Sequence, residues 1–74
     1  MGNITREQYQ LKVEKTYEFI KQYLQEHNYS PSLREITEGT NSKSIETIFN
    51  HLRILRDENR IDFIDGKART IRIK

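Results

Sequence analysis

Three side chains in one stretch carry hydrogen-bonding chemistry at helical spacing: Glu46, Thr47 and Asn50. At about 100° per residue they share one helix face, opposite Ile45, Ile48, Leu52 and Leu55, with Ile54 on the same outer side and Arg53 at its edge. A carboxamide can pair bidentately with adenine, a carboxylate can accept from the cytosine amino group, and threonine offers a hydroxyl and a methyl that suits thymine. Ser42, Lys43 and Ser44 come just before, where two hydroxyls, an ammonium and the free amides of a helix start suit a phosphate. Lys67, Arg69, Arg72 and Lys74 form a second basic group, with no acidic residue over residues 67–74. Such a group either meets a sugar-phosphate backbone or blunts an edge strand against aggregation. Taken singly, each of these residues also reads as a cap or a solvated face, so the inference rests on their joint placement.

Catalytic constellations are missing from the chain. His27 and His51 fall on different elements, and there is no HExxH, glycine-rich phosphate loop or GxSxG. His27 reads as a helix C-terminal residue near the dipole and His51 as a helix-flank side chain. Glu14 with Glu18, and Asp57 with Glu58, lie on helix surfaces, and Asp57 and Glu58 are placed to pair with Arg53, Arg56 and Arg60. No cysteine is present, which removes thiol chemistry, disulfides and thiolate zinc sites. The expectation is a non-enzyme with no catalytic residue, metal, cofactor or small-molecule substrate.

The elements that must position these groups follow from caps and apolar spacing. Thr5 to Gln8 is a capping box, and Tyr9, Val13, Tyr17, Ile20 and Leu24 recur at steps of three and four, predicting a helix over about 6–27. Phe19 and Tyr23 lie on a neighbouring side of that helix. Pro31 ends the break after it, and Ser32 to Glu35 is a second capping box that opens a short helix carrying Leu33 and Ile36, with Gly39 as its stop. Ser44 caps a third helix over about 45–58, closed by Asn59 in the left-handed conformation. Phe49 lies at the margin of the core stripe, where it caps the core, or, if exposed, marks a contact surface. Ile61, Phe63 and Ile64 then lead to Asp65-Gly66, a hairpin signal, and Ile71 and Ile73 alternate on the far side.

Helix, short helix, turn, longer helix and hairpin is the order of a winged helix-turn-helix: mainly α, three helices followed by a small two-stranded β wing. A chain of 74 residues, 34% hydrophobic and 32% charged, has room for one modest core, so residues 1–74 read as a single domain with 1–4 frayed. The net charge of +2 is weak evidence of any partner because the two signs nearly cancel. No apolar run approaches the roughly 18 residues of a membrane span and no signal peptide is visible, so no membrane partner and a cytoplasmic location are expected.

Several of these residues carry a family likeness. Ser30-Pro31-Ser32-Leu33-Arg34-Glu35-Ile36, His51-Leu52, Ile61 to Gly66 and Arg69 to Arg72 resemble the N-terminal DNA-binding domain of LexA-like repressors, the regulators of the bacterial SOS response, over Ile4 to Lys74. The resemblance implies a DNA-binding winged helix-turn-helix whose base-reading stretch corresponds to Ser44, Glu46, Thr47, Phe49 and Asn50. It departs from the family at Thr40, where an apolar residue is usual, and at Asn59 and Thr70, which stand in place of glycines. Full LexA-like repressors continue into a domain that dimerises and cleaves the chain with a serine-lysine pair; this chain stops where the linker to it would begin, so self-cleavage is not expected. Whether it is an excised domain or a free-standing regulator stays open.

The expectation is therefore sequence-specific binding of double-stranded DNA by a repressor-type regulator, through Ser42, Lys43, Ser44, Glu46, Thr47, Phe49, Asn50, Arg53, Lys67, Arg69 and Arg72. A homodimer on an operator of two half-sites is implied by the weakness of a single small reader. The alternative is a winged-helix module that binds another regulator or a replication protein through Phe49 and Ile54, a reading that the acidic Glu46 and the small net charge favour.

Overall fold

The computed structural model describes residues 6–74. Helix α1 spans Arg6–His27, α2 Leu33–Gly39 and α3 Ile45–Asp57; strands β1, Ile61–Asp62, and β2, Arg72–Ile73, follow. The expected capping box at Thr5 lies outside the described residues. The strands pair antiparallel, Ile61 opposite Ile73 and Asp62 opposite Arg72, completing a winged helix-turn-helix.

Each helix end has a local cause. At α2, the Glu35 N–H donates to Ser32 Oγ (3.2 Å) while the Ser32 N–H donates to Glu35 Oε1 (2.9 Å), the reciprocal box expected from the sequence. Ser44 is extended at φ −157° and its Oγ accepts from the Thr47 N–H, starting α3. An asparagine follows each helix in the left-handed region: Asn28 at φ 61°, Asn41 at φ 57° and Asn59 at φ 64°. After α2, Asn41 N–H donates to Glu38 O and Ser42 N–H to Thr37 O; after α3, Asn59 N–H donates to Arg56 O and Arg60 N–H to Leu55 O. Both are Schellman terminations, satisfying carbonyls the helix leaves open. Gly39 is therefore not the reversing residue the sequence suggested. It is the last residue of α2, and a Cβ there would lie 2.1 Å from the Phe19 ring, so its role is to let α1 approach.

The core joins Val13 and Ile20 of α1, Ile36 of α2, Ile48, Leu52 and Leu55 of α3, and Ile61, Phe63 and Ile71 of the wing. Three expectations for α3 are corrected. Ile45 is 42% exposed, because the first turn projects past the core and Ile48 is the first buried residue. Ile54 packs partly against the core, because the helix is covered over a wider arc than one stripe. His51 is only 2% exposed, wedged beneath α1.

The tight hairpin expected at Asp65-Gly66 is also corrected. Those residues do form a turn, with Lys67 N–H donating to Ile64 O (3.2 Å) and Gly66 at φ 79°, but the ladder holds only two residue pairs and residues 63–71 form a long connection. The Thr70 hydroxyl closes that loop, accepting from the Ile64 N–H (2.9 Å).

His51 Nδ1 lies 2.8 Å from the buried Thr16 hydroxyl, the Tyr9 ring meets the imidazole edge-on, and Nε2 has no hydrogen-bond partner among the described residues. Burial, with a smaller contribution from the Lys12 ammonium, pushes the imidazole pKa below its ordinary 6.5. The unfolded chain therefore takes up the proton first, so this site's stabilisation is complete above about pH 6.5 and is lost as the pH falls below it. Chemical denaturation between pH 7.5 and about 5 should show stability declining with acid, and the paired change Thr16→Val with His51→Leu, which removes both polar partners, should flatten that slope.

Candidate nucleic-acid interface

The outer face of α3 presents Glu46, Asn50 and Arg53 to solvent, with Lys43 and Ser44 at its start. Thr47 is half-buried and its Oγ1 lies 3.2 Å from Ser44 Oγ, so the cap and the position expected to read a base share one hydroxyl pair. Ser42 is also half-buried, its Oγ 2.7 Å from Thr40 Oγ1. Phe49 is half-buried against Phe63, ring centroids 6.1 Å apart and nearly perpendicular, and the Arg53 guanidinium lies 5.6 Å from the Phe49 centroid.

Beside Phe49 runs a groove of about 360 Å³, walled by Leu33 and Arg34 of α2 and by Phe63, Ile64 and Lys67 of the wing loop. It places the wing alongside the recognition face. Among the described residues Lys43, Arg53, Lys67 and Arg34 make no ion pair. Arg34 was missed by sequence reasoning: inside a capping box it registers as a helix-start residue, and only the fold brings it to the groove.

Arg56, Arg60, Arg69 and Arg72 are engaged in ion pairs. Arg56 pairs with Asp65 (3.2 Å) and lies over the Phe63 ring (4.2 Å), fastening the wing turn to α3. Arg60 grips the Glu14 carboxylate with both terminal nitrogens, reaches Glu58 at 3.5 Å and lies over Tyr17. Of the partners expected from the sequence only Glu58 is used, and it is secondary to Glu14 of α1. Arg72 is 80% exposed, 3.8 Å from Asp62.

The order of elements, the capped α3 and the flanking wing match what the comparisons with known proteins return. The family model described as the LexA DNA binding domain matches residues 1–70. The chain belongs to the LexA DNA-binding domain family. It is similar to the transcription regulator LexA of a Synechocystis species, 34% identical over 73 residues, covering 99% of this chain and 34% of the relative. It also resembles the LexA repressors of Clostridium tetani, 39% identical over 86% of this chain and 32% of the relative, and of Caldicellulosiruptor saccharolyticus, 40% identical over 84% and 31%. The chain thus spans about a third of the length of the curated relatives it matches. What is matched is their DNA-binding domain.

The three departures from the LexA pattern are each accommodated. Thr40 follows α2 and its hydroxyl donates to Ile36 O (2.8 Å). Asn59 supplies the left-handed residue after α3. Thr70 closes the wing loop, and the left-handed residue there is its neighbour Arg69, at φ 58°.

Arg69 is partly exposed but its side chain reaches across to the turn before α2. Its Nη1 donates to Ser30 O and Glu35 Oε1 (both 3.0 Å), its Nη2 donates to Glu35 Oε2 (2.9 Å), and the guanidinium lies 5.1 Å from the Tyr29 ring centroid. Arg69 first, then the Ser32 N–H, holds the Glu35 carboxyl down at about 2. With the folded value below the ordinary 4.5, the stabilisation is complete above that pH and is lost as pH falls toward 2. An NMR titration should place the Glu35 midpoint near 2, and Arg69→Gln should raise it only part of the way toward 4.5 because the Ser32 amide remains.

Proposed function

We propose that this chain is the operator-reading domain of a transcriptional repressor, binding double-stranded DNA with α3 in the major groove and the wing on the sugar-phosphate backbone. The observation that carries this reading is the capped, exposed start of α3 beside a wing whose groove and free cations lie on the same side. A major groove about 12 Å wide admits a helix, and residues at the start of such a helix reach base edges. Asn50 reads adenine, Glu46 accepts from a cytosine amino group, and Thr47 offers its methyl to thymine while its hydroxyl serves the cap. Ser42, Lys43 and Ser44 hold a phosphate at the helix start. Arg53, Lys67 and Arg72 supply further positive charge to the backbone, and Phe49 abuts DNA at the mouth of the groove. The relatives named LexA repressor support the regulatory role.

One domain of this size makes few base contacts, and useful specificity follows from two half-sites, so two copies on a two-fold operator are part of the proposal. Its place of action is then the cytoplasm of a bacterial cell. The rival reading, a protein-docking module anchored by Phe49 and Ile54, loses force because both side chains pack against the core.

In an NMR titration with a short mixed-sequence duplex, amide shifts should concentrate over residues 42–50 and 63–72 and fade as salt rises. Stationary amides at low salt would overturn the DNA reading. Once an operator is selected from a random library, Asn50→Ala should cost about 1–3 kcal/mol and relax one base position, whereas Lys67→Ala should weaken all sequences alike and reduce the salt slope by about 1.

A further inference from the structure

The wing ladder consists of two residue pairs, and a two-stranded hairpin of that size is marginal by itself in water. Besides the burial of Ile71 in the core, what seats the returning limb of the loop is its bonding to the turn before α2. The Ile71 N–H donates to Ser30 Oγ (3.1 Å), and Arg69 spans Ser30 O and both oxygens of Glu35. Glu35 in turn caps α2 through the Ser32 N–H. Arg69 has left-handed backbone, and its side chain, 43% exposed, reaches across to this node, whereas Lys67 makes no ion pair among the described residues.

From this geometry we infer that Arg69 is a positioning residue, which sets the wing against the helix-turn-helix unit instead of contacting a phosphate itself. The inference rests on the DNA reading above. A phosphate reaching Arg69 would compete with a two-pronged, charge-assisted pair, and drawing the guanidinium away would leave the Glu35 carboxylate with the Ser32 amide alone close to a polyanion. A cation already matched to a carboxylate adds no net charge to the surface. Its contribution is to hold the loop carrying Lys67 in one place before DNA arrives, which lowers the ordering cost of binding.

Glu35→Gln separates the two roles by sign. Glutamine serves the capping box as glutamate does, so α2 keeps its start. If Arg69 positions the wing, binding to a short mixed-sequence duplex should weaken about fivefold although a negative charge has been removed. If Arg69 is a phosphate ligand, freeing it should tighten binding. Arg69→Gln provides the second arm: positioning predicts weaker binding with the slope of log K against log salt unchanged, while Lys67→Gln lowers that slope by about 0.9. A slope that falls as much in Arg69→Gln, unchanged affinity in it, or tighter binding by Glu35→Gln would each overturn the inference.

Thermal unfolding by circular dichroism shows that each variant is folded. Should Arg69→Gln fail to fold, Arg69→Lys serves: it keeps the charge and loses the fork, so retained affinity overturns the inference and lost affinity supports it. Absence of duplex affinity in the wild-type protein would instead overturn the DNA reading itself. Glu35→Gln would in that case still displace the wing amides over residues 63–71, so the two failures are distinguishable.

Discussion

The carboxylate of Glu35 accepts hydrogen bonds from two directions at once, from the Ser32 amide that starts α2 and from the Arg69 guanidinium on the returning limb of the wing. Ser30 does the same with its backbone and side chain, its carbonyl accepting from Arg69 and its hydroxyl from the Ile71 amide. Pro31 lies between these residues and keeps the segment extended before α2. A stretch whose sequence reads as the start of a short helix is thus also the seat of the wing. With only two ladder pairs in the sheet, the wing is held against α2 and α3 here, at the Arg56 to Asp65 contact on the opposite limb, and by Phe63 and Ile71 in the core.

This use of side chains divides the basic residues into two populations. Arg56, Arg60 and Arg69 are bound to carboxylates of other elements, and each also lies over an aromatic ring. Guanidinium suits that duty, since its planar fork satisfies a carboxylate while its face covers an apolar ring. Lys43 and Lys67 remain as mobile point charges, beside Arg53 and Arg34, which make no ion pair among the described residues. The small net charge of +2 conceals this partition. A nearly neutral surface can still present a basic lip where its other basic side chains are matched to carboxylates.

What was legible in the sequence is what short-range physics dictates. Both described capping hydroxyls, Ser32 and Ser44, and the left-handed Asn59 depend on neighbours within a few residues and each appears as read, while Asp65-Gly66 forms a turn but not the tight hairpin expected of it. The apolar stripes located the core to within a residue or two, failing at Ile45, where periodicity continues past the point at which another element covers the helix. The pairs that fix the tertiary arrangement join distant positions: Thr16 with His51, Glu14 with Arg60, Glu35 with Arg69. A polar side chain destined for such a pair looks, along the chain, like any solvated residue. That is why His51 reads as a helix flank and Arg69 as a free cation, and why Arg34 passes unnoticed beside the groove.

The separations in those pairs bear on how the domain breathes. Glu35 and Arg69 are 34 residues apart and Ser30 and Ile71 are 41 apart, and both pairings bring the C-terminal segment to elements laid down much earlier. The packing of α1 against α3 spans comparable separations, 35 residues for Thr16 with His51 and 46 for Glu14 with Arg60, so the whole fold depends on closing long loops. Phe63 and Ile71 are both buried in the core while residues 64–69 between them are exposed, so an opening of the wing loop that leaves the core closed is confined to that exposed stretch.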